Sequence, residues 1–174
     1  MSCKKAERMV KMAVKILEMK KESAPAARFI GKKYTGSANW EEWWANNWFD
    51  RLEETPGLAL NDNGYVGAVH IVDGMPEYWI GMFFPSGTQV PEGFEHVDME
   101  PVDYAVFYLC GSMESGEFFS MDTHNMCLRE LEAHGLKRKE DDWCFERYNC
   151  PRFTTPDESG KVILDYGISV EGES

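Results

Sequence analysis

The chain has 174 residues, of which 43% are apolar, 13% aromatic and 28% charged. That size suits one globular domain and leaves no room for a multidomain enzyme, and so aromatic a chain is not wholly disordered. The net charge of −12 is unevenly spread: residues 1–33 carry 10 Lys and Arg against 3 Asp and Glu, giving +7, and the remainder carries 8 against 27, giving −19. A body that acidic repels a phosphate backbone, so direct nucleic-acid binding is not expected. No apolar run approaches the roughly 18 residues of a membrane span, and the opening MSCKKAERMVKM lacks the apolar core of a signal peptide. Without a secretion signal, the scattered Cys3, Cys110, Cys127, Cys144 and Cys150 read as reduced thiols in a cytoplasmic protein.

In the basic leader Ala6, Met9, Val10, Ala13, Ile16 and Leu17 share a helical stripe, which predicts an amphipathic helix. Residues 1–25 therefore read as a helix and linker, and 26–174 as the main domain. The helix is expected to dock on the acidic body; a membrane-surface role is disfavoured because no aromatic side chain anchors it. Arg28–Tyr34 reads as a strand. Asn39 or Ser37 can cap a helix over Trp40–Glu53, with Glu41 and Glu42 in its first turn and Thr55-Pro56-Gly57 closing it. The turn Asn61-Asp62-Asn63-Gly64 precedes a strand over Tyr65–Val72. Asp73-Gly74 then folds the chain back into Glu77–Phe84 as a hairpin. A glycine- and proline-bracketed loop leads to a short strand, Glu95–Met99, and a β-rich one, Val102–Cys110. A helix over Phe118–Ala133 stops at His134-Gly135, and strands Trp143–Tyr148 and Lys161–Val170 complete the chain. Two successive strand–helix–strand–strand units predict a duplicated α+β domain.

Several residues could carry chemistry. Trp40, Trp44 and Trp48 are spaced by four, so a continuous helix puts them on one face. Such a wall either packs as core or lines a pocket for flat, hydrophobic or cationic ligands. On the strand Trp143–Tyr148, Cys144, Glu146 and Tyr148 share one face, with Trp143, Phe145 and Arg147 on the other. Glu146 faces solvent, pairs with a cation or sits in a cavity; in an apolar cavity its pKa would rise, or it would hold a cationic guest. Arg147 is expected to point outward. Tyr78, Tyr104 and Tyr108 carry hydroxyls that could serve a site or only pack in the sheet. His124 and Cys127 lack a second ligand pair, so no metal is expected. Gly111–Gly116 does not fit a serine-hydrolase turn, no phosphate-binding glycine loop is present, and no cofactor is expected.

Three segments together resemble the GyrI-like small-molecule-binding family, which also supplies the effector-binding domain of AraC-type and MerR-type regulators. They are Glu77-Tyr78-Trp79-Ile80-Gly81, then Val90-Pro91-Glu92-Gly93-Phe94-Glu95 running into Tyr104-Ala105-Val106-Phe107, and finally Phe145-Glu146-Arg147-Tyr148. The resemblance spans residues 26–171. It implies two β-α-β-β units related by a pseudo-two-fold axis, an antiparallel sheet with helices on one side, and a ligand groove between the units. It further implies binding of lipophilic, often cationic compounds against aromatic walls and an acidic residue, which by motif position is Glu146. The candidate ligand-binding residues are thus Trp40, Trp44, Tyr78, Trp79, Tyr104, Phe107, Trp143, Glu146 and Tyr148. Some stand-alone members resemble hydrolases that open electrophilic cyclopropanes; on that alternative Glu146 and Tyr104 would be catalytic, with Tyr78 a second candidate hydroxyl. About 28 residues precede the first expected strand, too few for a DNA-binding domain, so a small-molecule ligand is expected and a partner only as another protein. An inhibitor that competes with DNA for a basic protein is a third possibility.

Overall fold

The computed structural model describes residues 14–56, 64–140 and 143–172. Eight strands, β1 (Lys15–Ala24), β2 (Ala27–Tyr34), β3 (Tyr65–Val72), β4 (Met75–Pro85), β5 (Glu95–Met99), β6 (Val102–Gly111), β7 (Trp143–Tyr148) and β8 (Val162–Val170), form one antiparallel sheet. Its order is β1-β6-β8-β7-β3-β4-β2-β5. Read outward from the central pair β7 and β3, the two halves match: third strand, fourth strand, second strand, and then an edge strand from the other half. The duplicated unit is therefore strand–strand–helix–strand–strand, β1 to β4 and β5 to β8. Each unit's opening strand crosses over: β1 pairs with β6, and β5 pairs with β2. The expected α+β fold of two pseudo-symmetric units is present.

The first described strand differs from expectation. Lys15–Ala24, read as the end of a leader helix and its linker, is β1, hydrogen-bonded along β6 from Lys15 opposite Cys110 to Ala24 opposite Val102. Pairing with the most β-prone strand of the chain outweighs the helical stripe, and Leu17, which that stripe would bury, stays 56% exposed. The register shifts between Ile16 and Glu18, which interrupts the two-residue alternation there. Residues 1–13 of the expected helix, and Asn61–Asn63 of the expected turn, lie outside the described residues.

Helices α1 (Trp40–Ala45), α2 (Trp48–Glu53) and α3 (Met121–Ala133) cover one face of the sheet. Beneath α1 and α2 lie Ile30, Ile80, Met82 and Phe84, packed with Trp43, Phe49 and Leu52. Beneath α3 lie Phe107, Leu109, Leu164 and Ile168, packed with Cys127 and Leu131. Ser120 caps α3 by accepting from Thr123 N–H at 3.2 Å, and Gly135 ends it at φ +71°. The opposite face carries Phe29, Trp79, Phe83, Tyr104, Trp143 and Phe145, packed on one another. Phe29 of β2 lies 5.9 Å from Trp143 of β7 although β3 and β4 intervene. Flat strands in that order would stand about 14 Å apart, so the sheet curls around this second core.

The helix expected over Trp40–Glu53 is two helices. Asn39 caps the first by accepting from Glu42 N–H at 3.2 Å. Asn47, at φ +53°, turns left-handed and restarts the chain as α2. This break takes Trp48 off the tryptophan stripe; its ring packs edge-on to Trp43 and lies under the Lys32 ammonium, 4.1 Å away.

Candidate functional site

The two helical layers leave the middle of the sheet uncovered, and a groove of about 920 Å³ opens there over β3 and β7. Gly67, Val69, Cys144 and Glu146 belong to its floor. Trp40, Trp44, Tyr65 and Tyr78 line it from the first unit, and Met113, Phe119, Phe153 and Tyr166 from the second.

Glu146 is placed by strand alternation and register. Its cross-strand partners are Gly67 on β3 and Tyr166 on β8. A Cβ at Gly67 would stand 2.9 Å from the Trp40 ring and 3.3 Å from Glu146 Oε2, so only glycine lets the indole lie over the strand beside the carboxylate. The Tyr148 hydroxyl donates to Glu146 Oε2 at 2.6 Å. Burial pushes the Glu146 carboxyl up to about 7, with the Tyr148 hydrogen bond pulling the other way. Among the described residues Glu146 has no salt-bridge partner.

Arg147, the cation next to it in sequence, lies on the opposite face. It is 3% exposed, not outward-facing as expected. Its guanidinium donates to Asp165 Oδ2 at 3.0 Å and, through both terminal nitrogens, to Glu22 of β1 at 3.0 and 3.1 Å. Asp165 is fully buried and also accepts from Arg152 and Asn149. Pairing of this kind is what permits charges inside a core. It also commits Arg147 away from Glu146.

A second carboxylate borders the groove. The Tyr65 hydroxyl donates to Glu53 Oε1 at 2.6 Å, and its ring stacks on Phe49 at 3.8 Å. On the far side Tyr166 and His124 Nδ1 share a hydrogen bond of 2.6 Å, and burial together with nearby Arg138 lowers the His124 pKa. Among the described residues, no group of three or more His, Cys, Asp and Glu side chains is arranged to hold a metal ion.

Of the residues expected at the site, Trp40, Trp44, Tyr78, Glu146 and Tyr148 come together around the groove. Trp79 borders it, but its ring packs on the other face against Phe29. Tyr104 lies on that other face too, edge-on to Phe145, and lines a separate cavity of about 160 Å³. Trp143 stacks on His70 there at 4.3 Å, and Phe107 is wholly enclosed in the core under α3. The tyrosine within reach of Glu146 is Tyr148, not Tyr104. Tyr65, Tyr166, Phe119 and Phe153 are lining residues that sequence reasoning passed over. Tyr65 could have been found, since it alternates with Gly67 and Val69; Tyr166 needed the register of β8 against β7.

The architecture, two pseudo-symmetric units in one antiparallel sheet with helices on one face, is a GyrI-like α+β fold. No family model and no curated protein matches the chain. Among solved structures, SAV2435 bound to tetraphenylphosphonium is similar over 90% of this chain and 95% of its own, at 13% identity and a TM-score of 0.66. A protein from Staphylococcus aureus MU50 matches over 89% of this chain and 99% of its own, at 18% identity and a TM-score of 0.64. The EcmrR C-terminal domain matches over 90% and 98%, at 11% identity and a TM-score of 0.58. At these identities the likeness is one of fold. None of the helices among the described residues is long and apolar enough to cross a membrane.

Proposed function

We propose that this protein binds lipophilic cations or flat aromatic compounds in the central groove, as a sensing or sequestering domain. The observation that carries this is Glu146: a carboxylate without a salt-bridge partner among the described residues, at the floor of an aromatic groove of about 920 Å³. A cation there offsets the desolvation that raises the carboxyl pKa, and the rings of Trp40 and Tyr148 lie beside the same charge. Apolar walls with few polar groups suit ligands chosen by shape and charge. The solved relative of this fold that holds tetraphenylphosphonium supports the choice of probe.

The test is a tryptophan-fluorescence titration with tetraphenylphosphonium. Wild-type protein is expected to bind it in the micromolar range, and Glu146→Gln to weaken it by roughly tenfold or more, about 1.4 kcal/mol per tenfold. A neutral compound of similar shape should bind both proteins equally. Equal affinity of both proteins for the cation refutes the role of Glu146.

A second reading rests on the 2.6 Å contact between Tyr148 and a carboxyl titrating near neutrality. Such a carboxyl can activate a water molecule against a strained electrophile, with the phenol in reach to pass on a proton. Ring-opening of an activated cyclopropane by wild-type protein, abolished in Glu146→Gln while the substrate still binds, is its expected signature. No turnover over a broad electrophile panel excludes it.

A further inference from the structure

The groove is lined by two carboxylates that each accept from a tyrosine beside a tryptophan, Glu146 part-buried on the floor and Glu53 exposed. At the inner one, Tyr148 donates to Glu146 and its ring meets Trp40 edge-on at 5.2 Å. At the outer one, Tyr65 donates to Glu53 and its ring lies 5.9 Å from Trp44, whose side is 56% exposed at the groove mouth. The two tyrosines are register partners across β3 and β7, and the two tryptophans are one turn apart on α1. Like Glu146, Glu53 has no salt-bridge partner among the described residues. Both acids are cavity-lining.

We propose that the groove recognises ligands with two cationic centres, the first held at Glu146 between Trp40 and Tyr148, the second at Glu53 between Trp44 and Tyr65. This rests on the reading of the groove as a site for lipophilic cations. It adds a second subsite, and with it a ligand class, bis-quaternary amphiphiles with an apolar spacer. Each subsite has the same three parts: a carboxylate for charge, an aromatic face for a poorly hydrated cation, and a phenol that fixes the carboxylate. One helical turn on α1 and one strand spacing on the floor put the two centres roughly 6–10 Å apart. The apolar wall between them matches a methylene chain.

The experiment compares alkyltrimethylammonium ions with bis(trimethylammonium)alkanes whose spacers run from about four to twelve methylenes, at roughly 0.15 M salt where distant charges are screened. Affinity of the dications is expected to peak at an intermediate spacer, roughly tenfold above the matched monocation. Glu53→Gln should weaken the dications more than the monocations and so remove that gain, whereas Glu146→Gln should weaken both ligand types. Glu54→Gln, the next acid along the chain, exposed like Glu53 but not lining the groove, should change neither. A dication series without an optimum, or Glu53→Gln acting equally on both ligand types, overturns the second subsite while the monocation site stands. Monocation binding indifferent to Glu146→Gln instead overturns the reading beneath it, and the two-centre site falls with it.

Discussion

Glu146 sits where desolvation and one phenol compete over its proton. With a folded-state pKa near 7 against the usual 4.5, the native protein binds more protons than the unfolded chain between those values. Folding stability through this group therefore falls as pH rises from about 4.5 to 7, and then stays level, by on the order of 3 kcal/mol. Urea denaturation against pH should show this slope in the wild type and lose it in Glu146→Gln, which should be the more stable protein at pH 8. Ligand binding carries the opposite sign. A cation favours the ionised carboxylate, so tetraphenylphosphonium affinity is expected to climb roughly tenfold per unit up to pH 7 and to level off above it. A flat profile in the wild type counts against Glu146 as the counter-charge. Gly67 is the other residue on which the site turns. Gly67→Ala would put a methyl 2.9 Å from Trp40, so it is expected to displace the indole, weaken cation binding and cost about 1–3 kcal/mol in stability.

At the scale of elements, the interrupted helix decides which tryptophans meet a ligand. A continuous helix from Trp40 to Glu53 would line up Trp40, Trp44 and Trp48; the left-handed residue Asn47 redirects the last one to Lys32 and Trp43. Asn tolerates that conformation better than most residues, so Asn47→Gly is expected to be neutral or slightly stabilising, and Asn47→Val to cost about 1–2 kcal/mol by chemical denaturation. A stabilising Asn47→Val would mean that the break is not fixed by this residue. The hairpin at Asp73-Gly74 shows the same physics in a form the sequence made plain. Both residues have positive φ, and the strands around them, β3 and β4, pair directly from Val72 opposite Met75. Local chemistry marks a tight turn more openly than a single left-handed asparagine within a helical pattern.

For the whole molecule, the pseudo-two-fold arrangement makes the groove, because two helical layers centred on separate units leave the strands at the axis uncovered. The exchange of β1 and β5 ties those units together. Arg147 of β7 grips Glu22 of β1 and Asp165 of β8, so three strands share one buried charge network. Glu22→Ala is expected to cost about 1–3 kcal/mol by leaving the guanidinium short of a partner. Removing residues 1–24 should abolish soluble, cooperatively folding protein, since it uncovers the edge of β6 as well. A folded, ligand-binding 25–174 fragment would show instead that the opening segment is a dispensable leader.

The sequence by itself determined most strand positions, the duplicated order of elements, and the alternation that places Glu146 and Tyr148 on one face. These are local properties: β-propensity, turn residues and two-residue periodicity act within a few positions along the chain. It also marked Glu146 as a carboxylate among aromatics. Whether Tyr104 or Tyr148 reaches that carboxylate, that Arg147 is buried on the far face, and that Lys15–Ala24 is a strand were decided by the tertiary structure. Each depends on which strand lies beside which, and on the curl that gives the sheet a second core. Both faces of β6 from Tyr104 to Cys110 are apolar in sequence, because both are largely buried in the fold. Alternation therefore could not say which face looks into the groove, and only the helices packed on one side of the sheet settle it.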